Sequence, residues 1–215
     1  MYQSNKIFLA CLFAYCVAVK VLPFALLHFG LDIRTEALYP WTFTPLFAVG
    51  IFGVALFRNL KLAYAIPLAA SFLGDLLCGV FAGLQYGLTE GLAFAFYPGQ
   101  VVNYIALILA CSTGLLLRQS RNVALIAATA VLAPTLFFAV SNFGVWAFDI
   151  GIGYPHTLAG LGQAYVAAIP FYRNALISTV AFSGLLFSPI GMSQLTRVAV
   201  ARETRQVTAA APVSE

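Results

Sequence analysis

The sequence predicts an all-α membrane protein in which a single bundle of six transmembrane helices takes up nearly the whole chain. Of its 215 residues, 62% are hydrophobic and only 8% are charged, and its mean hydropathy is +0.94. Soluble domains carry about 25% charged residues, so this chain has too few charges to cover a water-facing surface of its size. Lipid is therefore the expected solvent for most of the chain.

Six apolar stretches are long enough to cross a bilayer, which takes about 20 helical residues. They cover residues 7–29, 38–57, 62–84, 97–117, 123–140 and 175–192. The second stretch is the weakest, because Pro40 and Pro45 shorten its regular part. We expect residues 1–205 to form one six-helix domain and residues 206–215 to form a disordered cytoplasmic tail.

Basic residues mark every second connection between these stretches. They precede the first stretch, fill the second and fourth connections and follow the sixth stretch: Lys6, Arg58, Lys61, Arg118, Arg121, Arg197, Arg202 and Arg205. Positive residues are retained on the cytoplasmic side, so both termini are predicted in the cytoplasm of a multi-pass protein of the bacterial inner membrane. The same rule accounts for the net charge of +4, and the scattered basic residues form no stripe for nucleic acid.

The alternate connections, predicted on the outer side, are long and rich in aromatic residues, Gly and Pro. The longest covers residues 141–174. Small and apolar residues at helical spacing predict an interfacial or re-entrant helix within it, at residues 157–169. Long loops on one face of a rigid scaffold commonly carry function, so a binding site is expected on the outer side.

Two charged residues lie inside the predicted spans. Lys20 lies 14 residues beyond Lys6, and Asp75 lies 14 residues beyond Lys61. At 1.5 Å per residue both lie about 21 Å from the inner face. Charges inside a membrane are costly and usually functional, so the two side chains are predicted to pair at matched depth. Two roles stay open for the pair: a structural link between spans one and three, or a contact to a substrate.

Cys78 follows Asp75 by three residues, which places both on one helix face with Cys78 nearer the outside. A cysteine inside a membrane usually behaves as a small hydrophobic residue. Alternatively, its thiolate is a soft ligand for cobalt, copper or zinc. The sequence has no cysteine spacing typical of zinc sites and no phosphate-binding loop, so ATP hydrolysis is not expected of this chain.

Three alanines recur at four-residue spacing in the first predicted span. They are Ala10, Ala14 and Ala18. A seam of small residues at this spacing lets two helices approach closely. The neighbour is either another helix of the same bundle or a partner membrane protein.

Aromatic residues concentrate in the outer connections and at the outer ends of the spans: Tyr39, Trp41, Tyr86, Tyr97, Trp146, Tyr154, Tyr165 and Tyr172. Aromatic belts at the membrane interface are one explanation. The other is a pocket for a flat or bulky ligand, because such sites combine aromatic walls with a few polar groups. Asn142, Arg173 and Asn174 are candidates for those polar groups.

Over residues 20–187 the sequence resembles a family of bacterial integral membrane proteins that are mostly of unknown function. The resemblance rests on three segments, YPWTFTPLFAVGIFG, SFLGDLLCG and SNFGVWAFDIGIGYPHTLAGLGQAYVAAIPFYRNAL. This family looks like the substrate-binding S components of energy-coupling-factor (ECF) transporters. The resemblance implies an ECF S-component-like six-helix fold with a substrate site near the outer face. It also implies that Ala10, Ala14 and Ala18 meet the membrane partner of an ECF transmembrane and ATPase module.

Within that group the chain is similar to the BtuM-type solitary cobalamin transporters of Gram-negative bacteria. There a membrane cysteine binds the cobalt of cobalamin and helps to remove its cyanide ligand. The resemblance implies uptake of cobalamin or a related corrinoid, with Cys78 as the cobalt ligand and as the thiol that assists decyanation. Asp75, His28, Tyr86 and Arg173 would then line or close the pocket. Cobalamin would be the substrate, and the protein would need no cofactor of its own.

Two other classes of function stay open. The same fold could take up another vitamin, a metal ion or a small aromatic metabolite. Alternatively, the chain could be a membrane scaffold that has no small-molecule site and binds only a partner protein. The first class predicts that Cys78→Ala supports normal growth and that a different compound copurifies. The scaffold predicts that the aromatic and polar outer residues can be replaced with little effect and that a partner protein copurifies instead.

Overall fold

The computed structural model describes residues 2–31, 43–150 and 153–193. Within these ranges the chain forms seven α-helices and one 3₁₀ helix: α1 (Tyr2–His28), α2 (Leu46–Leu56), α3 (Leu60–Tyr86), α4 (Leu88–Ala95), α5 (Gln100–Ser112), the 3₁₀ helix (Thr113–Leu117), α6 (Val123–Ala147) and α7 (Leu158–Leu186). The predicted tail 206–215 lies outside the described residues, as do Arg197, Arg202, Arg205, Tyr39 and Trp41.

Four segments of the described chain are long and apolar enough to cross a membrane: Ile7–His28, Leu60–Tyr86, Leu88–Leu117 and Val123–Ala147. Large hydrophobic side chains lie exposed along their outer surfaces, whereas many of the buried positions hold alanine. Large apolar side chains on the outside and small residues on the inside suit a protein whose solvent is lipid and whose helices approach closely. The prediction of an all-α membrane protein is confirmed at this level.

Helix α2 lies in the middle of the bundle. It has 11 residues, and nine of them, from Phe47 to Ala55, are buried. It contacts α3, α5, α6, α7 and the 3₁₀ helix. A helix that is apolar on every side belongs in a core. Its start directly after Pro45 agrees with the expectation that this proline shortens the second span.

Helix α7 differs from the prediction. The sequence predicts a separate interfacial or re-entrant helix at residues 157–169 and a span at residues 175–192. The structure instead has one continuous helix of 29 residues, Leu158–Leu186, with Pro170 inside it. Proline removes one backbone hydrogen bond, but packing against neighbouring helices allows a helix of a membrane protein to continue through it. Helix α7 packs along α6 and α2.

Helix α4 also departs from the prediction, which treats residues 85–96 as an outer connection. After Gly87 the chain turns back, and α4 packs antiparallel against the end of α3. A Cβ added at Gly91 would lie 2.7 Å from the carbonyl oxygen of Gly79 and 2.8 Å from the Cα of Gly83. The two backbones are in direct contact there, and no side chain fits between them. Residues 96–99 then interrupt the helix before α5 begins.

Candidate functional site

A cavity of about 450 Å³ lies at the centre of the bundle. Ligand-binding pockets commonly range from about 300 to 1,000 Å³ and combine apolar walls with a few polar groups. Helices α1, α2, α3, α5, α6 and α7 all contribute to its walls, together with residues just before α2 and α5. The lining residues are Cys16, Lys20, Thr44, Leu46, Phe47, Ala70, Ser71, Asp75, Tyr97, Asn103, Leu107, Pro134, Phe137, Phe138, Ser141, Asn142, Ala168, Phe171, Tyr172 and Ala175.

An ion pair forms part of the wall between α1 and α3. The Nζ atom of Lys20 lies 2.6 Å from Oδ1 of Asp75, so the two charged residues predicted to pair do so. Asp75 is only 4% exposed, whereas the Lys20 side chain is 35% exposed. The carboxylate is therefore enclosed by protein, and more of the lysine side chain is left uncovered.

Asp75 has two further partners, and both come from α5. The hydroxyl of Tyr104 donates a hydrogen bond to Oδ2 of Asp75 at 2.7 Å, and Nε2 of Gln100 donates to the same oxygen at 3.3 Å. Hydrogen bonds to a carboxylate are stronger than those between neutral groups. Each carboxylate oxygen thus has a donor, as a buried charge requires.

Two features of α3 position Lys20. The ammonium group donates to the backbone oxygen of Ser71 at 3.2 Å and to its Oγ at 3.4 Å. The methylene chain lies across Gly74, where an added Cβ would come within 2.7 Å of Cδ of Lys20. The absence of a side chain at Gly74 therefore lets the lysine reach Asp75 along the helix surface.

The interruption between α4 and α5 borders the cavity. Pro98 has no N–H and disfavours helix at Tyr97, so the regular structure stops there. Nε2 of Gln100 lies 3.0 Å from the carbonyl oxygen of Ala95, one of the acceptors that the end of α4 leaves unpaired. Gln100 thereby connects the broken helix to Asp75. The hydroxyl of Tyr97 accepts a hydrogen bond from Nδ2 of Asn103 at 3.0 Å, and both residues line the cavity.

The wall formed by α2, α6 and α7 is aromatic. The rings of Phe138 and Tyr172 have centroids 4.8 Å apart, and those of Phe47 and Phe137 are 5.1 Å apart. The Tyr172 hydroxyl is hydrogen-bonded to Thr135 at 2.9 Å. Asn142 adds an amide group, and its Nδ2 donates to the backbone oxygen of Phe138 at 2.8 Å. Planar rings together with polar groups from α1, α3, α5 and α6 describe a site for a molecule of mixed polarity.

Four of the predicted site residues do not line this cavity: Cys78, His28, Tyr86 and Arg173. Cys78 is 5% exposed and packs between α3 and α1, where its Sγ lies 3.6 Å from the backbone oxygen of Lys20. His28 is exposed near Phe81, with ring centroids 6.1 Å apart. Tyr86 and Arg173 are exposed as well. Of the predicted candidates, the structure brings Asp75 to the cavity, together with its partner Lys20. The cavity is also lined by Tyr97, Tyr172 and Asn142, which the sequence analysis offered as its aromatic and polar groups.

The alanine seam of α1 faces away from the bundle. Ala10, Ala14 and Ala18 are all exposed, whereas Cys16 and Val17 between them are buried against α3. Within the part of the chain that the structure describes, the seam therefore does not pack against another helix of the bundle. The seam stays available to lipid or to another membrane protein.

Several residues of the site were not identified from the sequence. Gln100 and Tyr104 are one helical turn apart on α5, and Ser71 is one turn before Asp75 on α3. The pair Pro98–Gly99 in the middle of an apolar run is a sequence signal for these residues. It predicts a break in the helix, and the backbone polar groups at such a break need hydrogen-bond partners. The thiol of Cys16, four residues before Lys20, also lines the cavity.

Among residues 2–31, 43–150 and 153–193, no three His, Cys, Asp or Glu side chains gather in a way that could hold a metal ion.

Comparison of the sequence with known proteins identifies the family of the chain. No curated protein and no solved structure matches it. The profile of one family matches residues 2–202, which is nearly the whole chain. The protein therefore belongs to the family described as "Family of unknown function (DUF6580)".

Proposed function

We propose that the protein is a substrate-binding membrane transport protein of the S-component kind, and that the central cavity holds its substrate. The observation that carries the proposal is the Lys20–Asp75 pair in the wall of a cavity of about 450 Å³. Charged groups within membrane segments commonly mark substrate pathways. A broken helix beside the site supports the same conclusion, because the binding sites of many transporters are built where helices are discontinuous.

The proposed topology has six spans and both termini in the cytoplasm of a bacterial inner membrane. The spans are α1, α2 with the residues before it, α3, Leu88–Leu117, α6 and α7. Basic residues support this orientation, since Arg58, Arg118 and Arg121 lie in the short turns before α3 and α6, and Lys61 lies in the first turn of α3. In that orientation the cavity lies in the outer half, because Asp75 is nearer to the outer end of α3 than to Leu60.

The size of the cavity favours a small substrate. A volume of about 450 Å³ lies in the lower half of the usual range for ligand pockets, which suits one or two fused rings. A corrin macrocycle with its nucleotide loop is much larger. Direct ligation of cobalt by Cys78 would also require α1 to move away from α3, because the thiol is covered by the Lys20 backbone. We therefore place another vitamin or a small aromatic metabolite ahead of cobalamin as the substrate.

A membrane partner is part of the proposal. Ala10, Ala14 and Ala18 are exposed on one surface of α1, and small residues at this spacing permit close contact with a helix of another protein. An ECF-type membrane and ATPase module docked there would supply the energy for uptake. Contact through α1 would leave the cavity, at the centre of the bundle, free to bind substrate.

The test is to identify the small molecule that accompanies the protein through gentle purification, by mass spectrometry and absorbance. Ala168→Trp should abolish copurification, because Ala168 lines the cavity and the larger ring would fill it. Ala167→Trp is the matched control, since Ala167 is exposed on the adjacent position of α7. Equal recovery of every compound from the wild type and from Ala168→Trp would contradict the proposal.

The same experiment separates the competing hypotheses. A corrin absorbance that is present in the wild type and lost in Cys78→Ala would restore cobalamin as the substrate, with Cys78 as the cobalt ligand. A partner protein that copurifies without any small molecule would favour the scaffold. A heteroaromatic compound that persists in Cys78→Ala would support the small-substrate version.

A further inference from the structure

The charges of the residues that line the cavity limit the charge that a substrate can carry. Among the described residues that line it, Lys20 and Asp75 are the charged ones, and they neutralise each other at 2.6 Å. The remaining polar lining groups, such as Asn103, Asn142 and Thr44, are uncharged. A charged ligand would therefore enter a low-dielectric space that offers no uncompensated opposite charge.

Neither member of the pair is free to exchange its partner for a ligand. If a ligand carboxylate displaced Asp75 from Lys20, the Asp75 carboxylate, which is 4% exposed, would keep only the hydrogen bonds from Tyr104 and Gln100. If a ligand ammonium displaced Lys20, that lysine would lose its counter-ion inside the bundle. Breaking the pair in this way is unfavourable, most of all for the buried Asp75, because it leaves one charge uncompensated.

We infer that the substrate is an electrically neutral, planar aromatic molecule that carries amide-like donors and acceptors. The inference rests on the proposed function and specifies the substrate class of the same cavity. The rings of Phe137, Phe138 and Tyr172 provide flat apolar contact. Asn103 and Asn142 use their NH₂ groups within the protein, so their amide oxygens are suited to accept hydrogen bonds from the substrate.

The test uses three probes of one shape and three charges: naphthalene carboxamide, naphthalene carboxylate and naphthylmethylammonium. Their binding to the purified protein in lipid nanodiscs is measured by thermal unfolding, with Ala168→Trp as the control for partition into lipid. The carboxamide should bind at least about tenfold more tightly than either charged probe, because only a charged probe must be desolvated without a counter-charge.

Two charge-removing variants should reverse this preference. Asp75→Asn leaves Lys20 unpaired, so the carboxylate probe should become the tightest binder. Lys20→Met leaves Asp75 unpaired, so the ammonium probe should bind best. Glu90→Gln and Lys61→Met are the matched controls, because both residues are exposed and lie outside the cavity. These controls should keep the wild-type preference.

The outcomes separate this inference from the proposed function. A charged probe that binds the wild type as tightly as the carboxamide overturns the inference and leaves the transport proposal standing. The absence of binding by all three probes overturns the inference, and the copurification experiment with Ala168→Trp then decides the transport proposal separately. If the single variants do not fold, the neutral double variant Lys20→Met with Asp75→Leu replaces them. It should still prefer the carboxamide, and a preference for either charged probe would overturn the inference.

Discussion

Asp75 takes its partners from two helices that are distant in the sequence. Lys20 on α1 compensates its charge, while Gln100 and Tyr104 on α5 donate hydrogen bonds to its second oxygen. Because both α1 and α5 contact α3 through one carboxylate, the site and the helix packing depend on each other. A change at Tyr104 should therefore affect the stability of the whole bundle.

Tyr104→Phe removes the 2.7 Å hydrogen bond to Asp75 and should lower the free energy of unfolding by about 1.5–3 kcal/mol, the range for a bond to a charged group. Tyr64→Phe removes a 2.9 Å bond between two hydroxyls and should cost only about 0.5–1.5 kcal/mol. Unfolding of the detergent-solubilised proteins in increasing SDS measures both. Equal losses would mean that the charge on Asp75 adds nothing to the bond from Tyr104.

The ion pair could be predicted from the sequence, whereas the position of Cys78 could not. The depth of Lys20 and Asp75 follows from helix rise and the basic residues at the start of each span. Cys78 is three residues beyond Asp75, which rotates it about 60° around the helix axis. That rotation turns the thiol out of the cavity wall and under the backbone of α1. The sequence contains no information on which side of Asp75 α1 would pack.

At the scale of elements, long apolar runs in the sequence identify helices. They do not show where such a helix breaks or where it continues. Helix α4 has only eight residues and contains Glu90, so it does not resemble a span. Its place is determined by contact with α3 at Gly79, Gly83 and Gly91. The sequence predicts two elements, at residues 157–169 and 175–192, where the structure has the single helix α7. Its continuity comes from packing along α6, which a single sequence does not reveal.

Gly91→Ala tests the contact between α3 and α4. The added methyl would lie 2.7 Å from the oxygen of Gly79, so α4 must move away, at a cost of about 1–3 kcal/mol of unfolding free energy. Gly162→Ala is the control, because no atom lies within 4 Å of its added Cβ on α7. That control should be neutral or stabilising by up to about 1 kcal/mol, since alanine favours helix. A neutral Gly91→Ala, measured in the same SDS titration, would contradict the close contact.

At the scale of the whole molecule, the amino-acid composition alone predicts that lipid is the main solvent. A chain with 8% charged residues must place most of its surface in lipid, and the exposed Leu, Ile, Val and Phe side chains agree. The location of the cavity needed the structure, because its walls come from six helices. Predicted candidates such as His28, Tyr86 and Arg173 lie outside the lining, since closeness to the outer end does not determine which helix face points inward.

Accessibility of introduced cysteines tests the proposed orientation, in a variant without the four native cysteines. Glu90→Cys should react with a membrane-impermeant maleimide in spheroplasts, because Glu90 lies near the turn after α3 on the proposed outer side. Ser120→Cys, between Arg118 and Arg121, should react only after permeabilisation. Both positions are exposed in the structure. Labelling of Ser120→Cys in spheroplasts, with Glu90→Cys protected, would invert the topology.

The length of α7 has a consequence for how the proposed receptor sits in its bilayer. Twenty-nine residues extend about 43 Å, whereas the hydrocarbon layer is about 30 Å thick. With Leu186 at the inner boundary, about two turns at the start of α7 rise among the lipid headgroups. Tyr165 belongs to that part, and its hydroxyl is tied to the backbone oxygen of Ala139 on α6. In the proposed orientation the outer-leaflet headgroups therefore surround the first two turns of α7, about one turn before the cavity-lining residues Ala168, Phe171 and Tyr172.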